Sequence, residues 1–181
     1  MNEIASILLA VYAAVGAIDG IYLHLWKYRL FAHEASRREH HLHTIHAALF
    51  AVVIGTLYLA PSAGLLLWAG VGAFAASFVV VILDVLEERR SREDLGGLTP
   101  REYALHAGLI ALYSASVALV LAARPASAWS LDAPVLLDTA LPALMHTIAL
   151  NLLPGAALTA LVHVVLGLRP IALRFARPDL A

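Results

Sequence analysis

The chain has 181 residues, of which 61% are hydrophobic and 14% charged, with a mean hydropathy of +0.82 and a formal net charge of −1. Soluble domains carry about a quarter charged residues, so this chain lacks the polar surface of a water-soluble enzyme. The near-zero charge also excludes a nucleic-acid footprint. It contains no cysteine, which removes disulfides, thiolate–zinc sites, iron–sulfur clusters and thiol nucleophiles together.

A membrane-crossing helix needs roughly 20 mostly apolar residues. Residues 3–26, 44–60, 63–86 and 103–123 meet that requirement in turn. The first stretch lacks a basic leader and carries Asp19 inside a run long enough to span, so it reads as a helix and not a signal peptide. Residues 125–140 read as an outer loop or interfacial segment with Trp129 at headgroup level. A fifth span follows at 141–168, interrupted by Pro154.

Cytoplasmic loops collect Lys and Arg. Lys27, Arg29, Arg37 and Arg38 lie between spans one and two. Arg89, Arg90, Arg92 and Arg101 lie between spans three and four, and Arg169, Arg174 and Arg177 follow span five. Only Arg124 lies elsewhere. Five spans, with the N-terminus outside and the C-terminus inside, place 11 of the 12 basic residues in the cytoplasm. The expectation is a single all-α domain, 1–181, forming an integral membrane helical bundle of the bacterial inner-membrane type.

Two segments repeat one pattern, [ST]-x-R-E-x-x-L-H: Ser36 to His43 and Thr99 to His106. Each opens an even-numbered span, and each is preceded by an odd-numbered span bearing an aspartate, Asp19 or Asp84. The first four spans therefore read as two copies of a hairpin, 3–60 and 63–123, related by an axis along the membrane normal. The fifth helix packs on this four-helix core.

At 1.5 Å per residue, Asp19, His43, Asp84, His106 and His163 all fall within roughly 7–12 Å of the cytoplasmic helix ends. Glu39, His43 and His46 share a helical face, as do Glu102 with His106 and Asp84 with Glu88. His24 points about 140° away from Asp19 in an α-helix, toward a neighbouring helix or the interface. Ionisable groups inside a bilayer are costly and mark function. Asp19, Glu39, Asp84, Glu88 and Glu102 converge with only histidines beside them, and so many carboxylates resist ionising together. A divalent cation relieves that repulsion. The candidate ligands are thus Asp19, Glu39, His43, His46, Asp84, Glu88, Glu102, His106 and His163.

Blander readings compete. Ser36/Glu39 and Thr99/Glu102 both have the form of capping boxes, with Pro100 at the first helical position. Such boxes account for the glutamates but not for a histidine four residues on in both. The run Glu87 to Asp94 reads as a solvated helix end, with only Glu88 on the Asp84 face. His33, His40 and His41 read as interfacial. His146 belongs to the outer half, and Asn151 with Pro154 to a kink. Tyr12, Tyr22 and Tyr113 read as packing residues.

The pattern D-x2-Y-x-H, R-E-x2-L-H, D-x3-E and a second E-x3-H resembles a group of small, uncharacterised bacterial polytopic membrane proteins over residues 12–120. That resemblance implies no activity. The ligand chemistry is similar to that of di-iron or di-manganese carboxylate four-helix bundles, which use Glu-x-x-His where this chain has Glu-x-x-x-His. Glu87, Glu88 and Arg92 match the E-E-x3-R of intramembrane CAAX-type proteases, but that family's F-x3-H and H-x3-N motifs are absent. The histidine boxes of membrane desaturases and alkane hydroxylases are absent as sets.

The expected function is a membrane metalloenzyme with a carboxylate/histidine site, two metals and a lipid, quinone or other apolar substrate. Imidazole and carboxylate accept iron, manganese and zinc; the carboxylate excess favours iron and oxidation or hydroxylation, whereas zinc would suit hydrolysis. The competing classes are a proton or cation transporter, a haem protein ligated by His43 and His106, and a non-catalytic membrane subunit.

Overall fold

The computed structural model describes residues 1–168; Arg169, Arg174 and Arg177, which carry the expected C-terminal orientation, lie outside the described residues. The architecture is all-α. Five helical stretches, Asn2–Ala32, Arg37–Tyr58, Gly64–Ser91, Pro100–Ala122 and Ala143–Gly167, are each long and apolar enough to cross a membrane. Their α-helical parts are α1 (Asn2–Ala17), α2 (Arg37–Val53), α3 (Gly64–Ser91), α4 (Pro100–Ala122) and α5 (Ala143–Gly167). Two of them continue as π-helix, α1 through Ile18–Lys27 and α2 through Ile54–Tyr58.

Helix α1 packs mainly on α4, and α2 mainly on α3. Helix α5 lies against α1 and α2. Its last turn passes His40 and His41 at the start of α2, since a Cβ on Gly167 would stand 3.4 Å from His40 Nε2. The end of α5 and the 28–36 connection therefore share one side of the bundle.

Bundles in lipid depend on close van der Waals packing and small residues at helix contacts. Gly70 is such a residue, because a Cβ there would stand 2.5 Å from Leu57 Cδ2 and 2.6 Å from Thr56 Oγ1. Buried hydroxyls tie the half remote from the 28–36 connection together. Tyr58 Oη and Ser116 Oγ lie 2.6 Å apart, and Ser116 donates to Ala5 O at 2.7 Å.

The 125–140 segment is a loop, as expected, with a short 3-10 turn at Ala126–Trp129. It pairs with the α2–α3 connection through Ala63 N to Val135 O and Leu137 N to Pro61 O. Trp68 donates to Trp129 O at 3.1 Å. Gly64 occupies the left-handed region at φ +52, with Ala133 O where a Cβ would be. Arg124 donates to Leu57 O and Ala60 O at 2.7 and 3.3 Å, a cation on the carbonyl end of the second span. Burial lowers its pKa below the ordinary arginine value.

Candidate metal centre

Each of the four core helices delivers two ionisable residues to one level of the bundle. On α2, α3 and α4 the pairs are four apart and share a face by ordinary α-helical phase: Glu39 with His43, Asp84 with Glu88, Glu102 with His106. In the first span the pair is five apart, Asp19 and His24. The π-helix closes i→i+5 hydrogen bonds, which stacks residues five apart. It thereby corrects the expectation that His24 points away: His24 Nε2 lies 3.5 Å from Asp19 Oδ1.

The histidines then meet carboxylates of the opposite hairpin. His106 Nε2 lies 2.9 Å from Asp19 Oδ1, and His43 Nε2 lies 3.1 Å from Asp84 Oδ2. His106 Nδ1 faces Glu88 Oε1 on its other side. His24 Nε2 is 3.7 Å from Glu39 Oε1, and its ring centroid is 4.0 Å from that of His43 and 5.9 Å from that of His106. Two groups each present ligand atoms within 4.8 Å of one another: Asp19, His24 and His106, and His24, Glu39 and His43. Each is a set of two histidines and one carboxylate.

Many of these atoms are buried without a hydrogen-bond partner. They are His24 Nδ1 and Nε2, Glu39 Oε1, His43 Nε2, Asp84 Oδ1, Glu88 Oε1 and His106 Nδ1. Several stand at ion-pair distance from one another but lack hydrogen-bond geometry. Buried polar atoms in native proteins are nearly always satisfied, so a cluster of orphans calls for an explanation.

The acids do not meet histidines alone, which corrects the sequence expectation. Arg92, expected in a solvated helix end, is fully buried, with Nη1 2.8 Å from Glu39 Oε2 and Nε 3.4 Å from Glu102 Oε1. Its guanidinium also lies 4.7 Å from the Tyr28 ring centroid. Glu87, from the same run, is buried and pairs with Arg38 at 3.3 Å. His40, expected at the interface, is buried and donates to His163 O at 3.0 Å.

The two capping boxes differ. Thr99 and Glu102 form the reciprocal box, and Glu102 Oε2 also accepts from Tyr28 Oη at 3.1 Å. Ser36 makes no cap; it donates to Ser91 O at 3.1 Å, which leaves Glu39 to Arg92 and the cluster. Glu102 thus has its oxygens occupied, whereas Glu39 keeps one free.

His46 lies just beyond the cluster, with Nε2 2.7 Å from Tyr12 Oη and Nδ1 2.8 Å from Ser77 Oγ. Both of its ring nitrogens are engaged. His163 stacks on His40 at 5.1 Å and stands 6.5 Å from the His43 ring, beside the ligand groups and not within them. Above these residues Tyr12, Phe50, Phe74 and Tyr113 form an aromatic layer, with Tyr12 stacked on Tyr113 at 4.9 Å.

A cavity of about 330 Å³ opens from the cluster. Asp19, His43, Asp84, Glu88 and His106 line one end, and largely apolar side chains line the rest. Compared with protein-family models, curated proteins and solved structures, the chain matches none.

Proposed function

We propose that the chain is a membrane-embedded metalloenzyme that holds two transition-metal ions, iron foremost, and oxidises or hydroxylates a lipid-soluble substrate. The convergence of buried, unpaired ligand atoms from four helices carries this proposal. Each unsatisfied buried polar atom costs about 1–3 kcal/mol. Ordered water, protons and metal ions are the available remedies, and water alone leaves the repulsion among the carboxylates in place. An imidazolium donates from both ring nitrogens, yet His24 donates from neither. An ion that takes lone pairs from His24 and its neighbours accounts for the arrangement. Among the described residues, Asp19, Glu39, Asp84, Glu88 and Glu102 share this level with one buried guanidinium, that of Arg92, which pairs with Glu39 and Glu102, and two divalent ions would balance the charge that remains.

Asp19, His24 and His106, or His24, Glu39 and His43, would hold an ion with two histidines and one carboxylate, the donor set of non-haem iron oxygenases. Bound iron would supply the chemistry of dioxygen. In hydroxylation a C–H bond breaks and one oxygen atom enters as hydroxyl. The other leaves as water, with two electrons and two protons from a reduced carrier. The chain's own residues hold and orient the ions, and the aromatic layer limits water from the far side. The apolar cavity brings hydrocarbon to the ions.

The test is metal content of the full-length protein purified in mild detergent without chelator. About two irons per chain are expected, as in dinuclear carboxylate bundles. His43→Ala and His106→Ala should each lose most of the metal, while His46→Ala should keep it. Stoichiometric zinc would replace oxidation by hydrolysis. No stoichiometric transition metal in a protein of intact helicity overturns the proposal.

A further inference from the structure

The cavity has a polar end and an apolar length. Its lining on α5 runs from His163 to Asn151, twelve residues or about 18 Å along the helix. On α3 it runs from Glu88 to Phe78, about 15 Å. Half the hydrocarbon core of a bilayer is also about 15 Å thick. The charged residues crowd at the end near the 28–36 connection, and Leu109, Ile110, Val81, Phe78 and Leu152 follow beyond them.

Among the polar side chains farther along, Tyr12 and His46 satisfy each other across helices and Tyr113 Oη is buried without a hydrogen-bond partner, whereas Asn151 and Thr159 are turned to their own helix. Asn151 donates to Thr147 O at 2.8 Å, and Thr159 donates to Gly155 O at 2.9 Å. Asn151 and Thr159 therefore do not call for a polar ligand on α5. Of the three glycines that line the space, Gly16, Gly20 and Gly155, a Cβ on either of the last two would meet nothing within 4 Å.

We infer that this cavity receives one hydrocarbon chain of a membrane amphiphile, lying along the bundle with its head-proximal end at the carboxylate–histidine cluster and its tail toward the bilayer centre. The match of cavity length to one leaflet fixes the class of ligand, and the single charged end fixes its direction. For the chemistry, the inference rests on the proposed metalloenzyme; the binding geometry rests on the cavity alone. The reacting atoms are then those next to the headgroup, and the terminal methyl lies farthest from the ions.

The test uses the full chain in phosphatidylcholine nanodiscs and two photoreactive palmitates, with a diazirine near the carboxylate or near the methyl end. Peptide mapping after irradiation should place the head-proximal label on residues 81–88 and 106–110. The tail label should fall on Phe78 and on residues 151–156. Gly155→Leu fills open space away from the ligands, so metal content should stay unchanged while tail labelling falls roughly tenfold, the scale of a misfitted methylene. Labels in the reverse order overturn the direction. Labelling confined to outward residues such as Leu86, Leu158 and Leu161 overturns the occupancy. The same diazirine chains carried on phosphatidylcholine distinguish a phospholipid from a free single-chain ligand, and site-specific labelling from either source supports the inference. Correct labelling in protein that holds no metal would sink the metalloenzyme and leave this binding mode standing.

Discussion

Arg92 brings a full positive charge into a fully buried setting, and it is held there by Glu39 and Glu102 from two different helices. A buried charge stripped of its partner is strongly destabilised, by about 3–5 kcal/mol. Arg92→Met should therefore lower the unfolding free energy by about that amount in detergent, because Glu39 is left charged and enclosed. The double variant Arg92→Met/Glu39→Gln should recover part of the loss, as coupled sites do. Equal and additive losses in the two single variants and the pair would show that the guanidinium does not act through Glu39. The position was legible in part. Asp84, Glu88 and Arg92 recur every fourth residue, which continues one helical face. What hid it was its setting among Arg89, Arg90, Glu93 and Asp94, which are exposed as a charge run should be. The histidine–carboxylate level was read from depth and phase because a lipid-embedded charge has few other places to go. Which glutamate caps and which is freed could not be read, since Ser36 and Thr99 present the same local signal. Only the long-range bond from Ser36 to Ser91 separates them.

At the scale of elements, the helices were legible because bilayer thickness sets their length, but the first runs on to Ala32, the second opens at Arg37 and the third continues to Ser91, each five to seven residues beyond its apolar stretch, because hydropathy does not register helix that continues in polar residues. The π-helical stretch Ile18–Lys27 was not, because every phase argument assumes the α-helical period. That stretch decides the centre, since it turns His24 in beside Asp19. A π segment carries more residues per turn than an α-helix. Deleting exposed Tyr22 would place Asp19 and His24 four apart, on one face of a regular helix. The deletion variant should retain most of its metal. Inserting an alanine after Tyr22 should swing His24 off the cluster and lose metal to the same degree as His24→Ala. Retention of metal by the insertion variant would show that His24 does not ligate.

On the scale of the molecule, contacts recur in matching form between the first two spans and the next two. Helix α1 packs on α4 as α3 packs on α2, and His106 meets Asp19 as His43 meets Asp84. Glu88 meets His106 on one side, and His24 meets His43 on the other, so His24 takes beside His43 the place that Glu88 takes beside His106. The halves are therefore alike in geometry and unlike in chemistry. One offers a further carboxylate, Glu88, and the other a further imidazole, His24. His24 also stands in both ligand groups, whereas Glu88 stands in neither and, among the described residues, forms its ion pair with His106. One imidazole nitrogen carries one lone pair, so two ions can share His24 only as an imidazolate that has lost its N–H proton, with one ion on each ring nitrogen. Both of those nitrogens lack a hydrogen-bond partner. A ligand so shared should matter to both ions, and a ligand of one ion to that one. Metal analysis should then find both ions lost from His24→Ala, and about one of the two lost from Glu88→Gln, whose neutral amide keeps the volume but withdraws the charge. The remaining ion in Glu88→Gln should be the one on His43 and Glu39, so adding Glu39→Gln to that variant should remove it. If Glu88→Gln and His24→Ala each released the same single ion, His24 would belong to one half only and the two groups could not share it.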